Sequence, residues 1–253
     1  MQFAVISDLH SNLDALEAVF RDIDARGLKT VYCLGDIVGY GPDPVECVDL
    51  VRERCAITIR GNHDDALFNG ADRFNPFARD AILWTRDKLK PKLLRGREAQ
   101  DRWRFLKELP LDARVDDCLF VHGSPRDHVN EYIYREDVYF NADTKLKTIF
   151  KSVDRFLFVG HTHLPVVIGD DLKTFVPEEN ELEFQPKPNT KYIVNVGSVG
   201  QPRDRDPRAC WLQFDHGRLS FRRVSYDIDA VARRIDRNRS LDPVLGARLF
   251  DGT

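Results

Sequence analysis

The sequence predicts an α/β fold, on two observations. Short apolar runs of strand type alternate with stretches of helical spacing through the first 64 residues, and strand-type runs return in close succession from Cys118 onward. Residues 3–6 (FAVI) read as a strand that ends at SDLHSN, and LDALEAVFRDIDARG then reads as a helix closed by Gly27. The pattern repeats. TVYCLGDIVGYGP is a strand running into a glycine-rich loop, PVECVDLVRERC is a helix, and AITIRGNHD is the next strand with its turn.

Between Asp64 and about Ala113 no strand pattern is visible, and Phe77, Ile82, Trp84, Leu89, Trp103 and Leu106 recur at helical spacing. Residues 65–113 are therefore expected to form a helical insert within one domain spanning residues 1–253. CLFVHGSP, RFLFVGHTH, PVVIGD, YIVNVGSVG, ACWLQFD and RLSFRRVSY read as strands. The stretch from Asp227 to Phe250 suits one or two amphipathic helices whose arginines face water.

Composition narrows the function. Hydrophobic residues at 42% and charged residues at 31% fit a soluble globular protein, and no apolar run approaches the ~18 residues of a membrane span. MQFAVISDLH shows no basic, apolar and small-residue succession of a secretion signal, so a cytoplasmic protein is expected. The five cysteines are scattered without a CxxC pair, which argues against a disulfide framework or a zinc ribbon. A net charge of −3 speaks against general nucleic-acid binding, which needs a basic surface.

Five apolar strands share one feature: a histidine, aspartate or asparagine follows at once. These are Asp8 with His10, Asp36, Asn62 with His63, His122, and His161 with His163. Strand ends are where α/β folds build ligand crevices. Of the seven histidines, five stand at these ends and only His128 and His216 lie elsewhere, a concentration that chance placement rarely produces. A single strand-end Asp is more often a turn former or helix cap, and a lone HxH is weak, so the signal is the joint pattern. Imidazole and carboxylate without thiolate suit borderline divalent ions: manganese first, with iron, zinc, nickel or cobalt as alternatives.

The order DLH, GDIVGYG, GNHD, VHG, GHTH resembles that of the calcineurin-like metallophosphoesterases, and GDIVGYGPDP with NVGSVGQPRDRDPRACW resembles their branch of small bacterial and archaeal phosphodiesterases. The resemblance implies a four-layer αββα sandwich of two mixed sheets and two divalent ions per chain. Asp8, His10 and His163 would hold one ion, Asn62, His122 and His161 the other, and Asp36 would bridge them. Two dications about 3.5 to 4 Å apart repel, and an anionic bridge offsets that repulsion. The implied chemistry is hydrolysis of phosphodiesters or phosphomonoesters, in small molecules or nucleotides, by a metal-bridging hydroxide. His63 would serve the leaving oxygen, with Asp36 and Asn62 as the other catalytic positions.

Protein Ser/Thr phosphatases of this superfamily carry GDxVDRG and GNHE, whereas here Gly39 and Tyr40 replace the Asp and Arg. That departure weakens a protein-phosphatase reading and leaves open what orients His63. Symmetrical dinucleotide polyphosphatase activity is an alternative, and a non-catalytic interaction scaffold a third reading, opposed by the complete ligand set. Arg60, before GNHD, and Arg203, after GSVG, are candidate phosphate grips, although QPRDRDPR also reads as a solvated turn. Tyr40, Phe74, Phe77 and Trp84 are candidates for a pocket wall, with packing inside the insert as the ordinary use.

Overall fold

Strand β1 (Gln2–Ile6) shows how the chain is layered. Its side chains alternate between two different apolar cores: Phe3 and Val5 enter one, Ala4 and Ile6 the other. A strand buried on both faces needs a layer on each side, which is why its sequence is a continuous apolar run rather than an alternating one. The computed structural model describes residues 1–92, 96–178 and 181–253.

The strands form two mixed six-stranded sheets. The first has β3 (Ile57–Thr58), β2 (Val31–Cys33), β1, β11 (Ala209–Asp215), β12 (Arg218–Val224) and β9 (Glu183–Phe184) in that order. Within it β1, β2 and β3 run parallel, and β11 is antiparallel to β1. The second has β4 (Asp112–Val115), β5 (Cys118–Val121), β6 (Phe156–Val159), β10 (Tyr192–Asn195), β7 (Val166–Gly169) and β8 (Thr174–Phe175). Here β5, β6 and β10 are parallel.

Between the sheets lies an aromatic core. Phe3 stacks on Phe214 at 4.6 Å and meets Phe120 and Phe158 edge-on at 5.9 Å. On the outer face of the first sheet, Ala4, Ile6, Val31, Cys33 and Trp211 pack on α1 (Leu13–Ala25) and α2 (Pro44–Arg54). Outside the second sheet, Leu119, Val121, Leu157 and Ile193 meet α6 (Asp137–Phe140), a π-helical turn (Ala142–Leu146) and α7 (Lys147–Lys151). The result is helix, sheet, sheet, helix, the four-layer sandwich expected.

Residues 62–108 supply α3 (Asn62–Asn69), α4 (Pro76–Leu89) and α5 (Gly96–Glu108), while residues 93–95 of the expected insert lie outside the described residues. Two boundaries differ from expectation. The strand-free stretch ends earlier, because β4 begins at Asp112; its half-exposed DARV sequence gives no apolar run to read, and only pairing with β5 makes it a strand. GNHD is not a turn but the first turn of α3. The short strands β8 and β9 and the segment α6 to α7 had no sequence signal.

The last two helices, α8 (Ile228–Arg237) and α9 (Val244–Asp251), bury Val231, Ile235, Leu245 and Leu249 against Tyr40, Ala78 and Ala81. They therefore brace the loop after β2 against α4. No described helix is long and apolar enough to cross a membrane.

Candidate metal centre

In the parallel pairs of both sheets the strands end on the same side, and the loops after β1, β2, β5, β6 and β10 converge there. Backbone bonds lock them together: Asp8 N donates to Gly35 O at 3.0 Å, Gly160 N to His122 O at 3.0 Å, and Gly200 N to Asp8 O at 2.9 Å. The approach is so close that a Cβ on Gly160 would lie 2.5 Å from Asp8 Oδ2, and one on Gly200 would lie 1.8 Å from Leu9 O. Asn12 closes the first loop, accepting from Ala15 N to cap α1 while donating to Gly200 O at 2.9 Å.

The expected ligands meet at this convergence and are buried, apart from Asn62, which is partly exposed. Three overlapping groups have ligand atoms within 4.8 Å of one another: Asp8, His10 and His163; His10, Asp36 and His63; and Asp36, His122 and His161. His122 Nε2 lies 3.1 Å from Asn62 Oδ1, and Asp36 Oδ2 lies 3.4 Å from His122 Nε2 and 3.8 Å from His10 Nε2. Asp36 thus sits between two sets of donors.

Hydrogen bonding dictates which imidazole nitrogens face inward. His10 Nδ1 donates to Val38 O at 3.3 Å, His122 Nδ1 to Leu34 O at 2.9 Å, and His163 Nδ1 to Gln201 O at 2.5 Å. In a neutral ring the other nitrogen then carries a lone pair. His10 Nε2 and His163 Nε2 face each other at 3.1 Å, and Asp8 Oδ1 lies 3.1 Å from His163 Nε2 with no other hydrogen-bond partner. Lone pairs and a carboxylate oxygen aimed at one buried point repel unless a cation stands among them. The donor set therefore fits divalent ions, bound by nitrogen and oxygen without sulfur.

The backbone is strained at the same places. Asp8, His10, Asp36, His161 and His163 have φ between 48° and 67°, a left-handed region that residues other than glycine rarely adopt. Asp and His enter this region more readily than most residues, and the interlocked loops hold five of them there together. Charge is also held out of balance. Burial pushes Asp8 and Asp36 up, but neighbouring histidines, His163 for Asp8 and His122 for Asp36, hold both well below the usual carboxylate range. Burial lowers His10 and His163, and takes His161 down to about 3. His122 alone rises, to about 9, because Asp36 outweighs its burial, so it keeps a proton that a bound cation would replace.

His63 adjoins this cluster from the first turn of α3. Its backbone N donates to Asp36 Oδ1 at 2.8 Å, while its buried Nδ1 has no hydrogen-bond partner. Among the described residues no carboxylate accepts a hydrogen bond from the ring. Instead the ring is held by His10 at 4.7 Å, Tyr40 at 4.6 Å and Phe74 at 4.9 Å. Burial first, then Arg203 and nearby histidines, bring it to about 4, so it is neutral at neutral pH. Gly39 explains part of the departure from GDxVDRG: a Cβ there would lie 2.3 Å from His63 Nδ1, at a φ of 99°. A Gly39→Ala substitution is expected to displace His63 and lower kcat about tenfold or more with two ions retained, as read by steady-state kinetics and elemental analysis.

Asp64 supports the bridge from behind, accepting from Ile37 N and Gly61 N at 3.1 Å and Val38 N at 3.3 Å. Burial and the like charge of Asp36 push it up to about 7. Sequence reading had assigned Asp64 no role.

A cleft of about 520 Å³ opens over the cluster, lined among others by Asp36, Asn62, His63, Tyr132 and Arg203. Tyr132 stacks on His161 at 3.9 Å, and His161 Nε2 lies 3.2 Å from Asn130 O, leaving Nδ1 free to face an ion. Arg60 is a correction: its guanidinium is bound to Asp65 Oδ1 at 3.2 Å and Lys107 O at 2.6 Å, and it does not line the cleft. The C-terminal arginines were expected to face water, but Arg248 of α9 lines the cleft, as does Arg73. Of the expected aromatic wall, Tyr40 and Phe74 line it, Phe77 is exposed, and Trp84 packs beside α8 and α9.

A two-sheet sandwich with buried histidines and aspartates converging at its strand ends is the architecture of a metallophosphoesterase. The sequence matches the family described as the calcineurin-like phosphoesterase superfamily domain over residues 1–217, and the chain belongs to that superfamily. It is 38% identical to an uncharacterized protein of Methanocaldococcus jannaschii, covering 98% of this chain and 97% of that one. Among solved structures it is similar to a metallophosphoesterase from Sphaerobacter thermophilus, with 36% identity, a TM-score of 0.80 and full coverage of both chains. A hypothetical protein from Pyrococcus horikoshii shares the fold at 19% identity, with a TM-score of 0.71 over 100% of this chain and 98% of that one.

Proposed function

We propose that the protein hydrolyses phosphate esters at a centre of two divalent ions. The observation that carries this reading is the convergence of Asp8, His10, His163, His122 and Asn62 on the two sides of Asp36, with the inward-facing lone pairs of His10 and His163 and the carboxylate of Asp8 crowded as bound cations would reconcile. Asp8, His10 and His163 would hold one ion, Asn62, His122 and His161 the other, and Asp36 both. When bound, the ions neutralise the phosphoryl oxygens and lower the pKa of water for attack.

The chain's own residues do the rest. Backbone carbonyls of Leu34, Val38 and Gln201 fix the ligand imidazoles, so no reorganisation is needed when charge develops. His63 stands at the cleft side of the cluster, where its N–H can serve the leaving oxygen. In the overall reaction the oxygen of water forms a bond to phosphorus, the P–O bond to the leaving group breaks, and the departing alkoxide takes up a proton. Arg203 lines the same cleft and would pair with substrate phosphate oxygens beyond those held at the ions.

The test uses protein stripped by chelation and resupplied with manganese, nickel, zinc or magnesium, assayed on bis-p-nitrophenyl phosphate and p-nitrophenyl phosphate. Turnover is expected to vanish on stripping and to return with metal. The melting temperature is expected to rise by several degrees with ions present well above their Kd, because binding to the folded state alone adds about 2.7 kcal/mol at a hundredfold excess. The preferred ester separates diesterase from monoesterase. Absence of turnover with every metal, despite two bound equivalents, would count against hydrolysis of both ester types.

A further inference from the structure

The cleft carries more positive charge than a single phosphate ester requires. Arg73, between α3 and α4, Arg203, after β10, and Arg248, on α9, all line it. Elsewhere the partly buried arginines are matched to carboxylates: Arg60 to Asp65, Arg102 to Asp49, Arg223 to Asp204, and Arg234 to Asp14 and Asp43. Arg203 and Arg248, also partly buried, and Arg73, which is exposed, have no Asp or Glu side chain within ion-pair distance among the described residues. Arg203 Nη2 donates to Gln201 Oε1 at 3.0 Å, the Tyr40 hydroxyl is within hydrogen-bonding reach of the guanidinium, and Nε is buried without a hydrogen-bond partner among the described residues. Arg248 Nε donates to the backbone oxygen of Thr253 at 2.5 Å.

Arg203 and Arg248 are also close enough to repel: after burial, Arg203 is the main reason that Arg248 lies below its ordinary value. Holding like charges together costs stability unless an anion comes between them. Two dications set against Asp8 and Asp36 leave two positive charges, which one phosphomonoester dianion already balances. The guanidiniums of Arg73 and Arg203 add two more, before Arg248, already bonded at Thr253, is counted. We propose that the cleft takes organic di- or triphosphates, in which the phosphoryl group at the metal centre is followed by a second one gripped by Arg203, Arg248 and Arg73. Guanidinium and phosphoryl oxygens pair bidentately, and arginines drawn from three separate segments can surround the distal group. This inference rests on the phosphoesterase reading and names its substrate class.

The experiment is calorimetry on metal-loaded protein with methylphosphonate and methylenediphosphonate, which are not hydrolysed, for the natural sequence, Arg203→Gln and Arg248→Gln. Metal content is measured before and after each titration. The diphosphonate is expected to bind about tenfold to a hundredfold more tightly than the monophosphonate, and each substitution is expected to shrink that ratio about fivefold or more. A preference equal in all three proteins would be metal chelation alone and would overturn the proposal. A preference absent from the natural sequence would do the same. Turnover of p-nitrophenyl phosphate judges hydrolysis separately: a protein that cleaves it yet shows no arginine-dependent preference retains the phosphoesterase reading and loses this substrate class. One that cleaves nothing, but shows the arginine-dependent preference, loses hydrolysis and keeps the diphosphate site.

Discussion

An Asp36→Asn variant is expected to lose turnover by about a thousandfold or more and to hold fewer than two metal equivalents. Asparagine keeps the shape of the side chain and can still accept from His63 N through its amide oxygen, as Asp36 Oδ1 does at 2.8 Å. The atom facing His122 and His10 becomes an NH2 donor, which neither binds a cation nor offsets repulsion between two of them. A thousandfold corresponds to about 4 kcal/mol of transition-state stabilisation, ordinary for removal of a charge that holds metals in register. Steady-state kinetics with elemental analysis checks this. A variant that keeps two ions and full turnover removes Asp36 from the bridge.

The second large effect is expected at His63. Replacement by alanine should lower kcat about a hundredfold to ten-thousandfold while leaving two metal ions bound. The hydrogen bond from His63 to Asp36 comes from the backbone N–H, which alanine retains, so Asp36 keeps that partner. Because the buried ring packs against His10, Tyr40 and Phe74, a melting curve belongs beside the kinetics, and His63→Asn serves as a smaller perturbation of that cage. Full turnover on the best substrate in both variants would exclude a role for His63 in the reaction. Loss of metal in parallel with kcat would make it a ligand instead.

Comparison of the two variants separates two ways of building the same rate. In the proposed reaction Asp36 would act through charge, and His63 through position. Its position comes from an aromatic cage and from the missing side chain of Gly39, not from a carboxylate partner. That arrangement accounts for the change from GDxVDRG to GDIVGYG in local terms: the glycine gives the imidazole room, and Tyr40 supplies one wall of its cage.

Much of this was legible before any coordinates. Strands buried on both faces leave uninterrupted apolar runs, so FAVI, CLFV and FLFV marked the central strands, and the polar residues that end those runs marked the crevice. Strands half-exposed or two residues long, such as DARV and β8, left no such trace, because pairing with a neighbour and not their own pattern defines them. The same logic applies to arginines. Arg60 adjoins GNHD in sequence but turns to Asp65, whereas Arg248, more than 180 residues away from it, lines the cleft over the histidine and aspartate cluster.

By itself, then, the amino-acid sequence determined the α/β class, the central strands, and which histidines, aspartates and asparagine could serve as ligands, since each is written locally as an apolar run and its terminating residue. Only the tertiary structure decided how they act together. Which imidazole nitrogen turns inward depends on the carbonyls of Leu34, Val38 and Gln201, the left-handed backbone at five of the candidate ligands is enforced by loops of both sheets, and the cleft arginines gather from three separate segments. These are long-range relations between groups far apart in the chain, and nothing in the residues on either side of any one of them encodes the others.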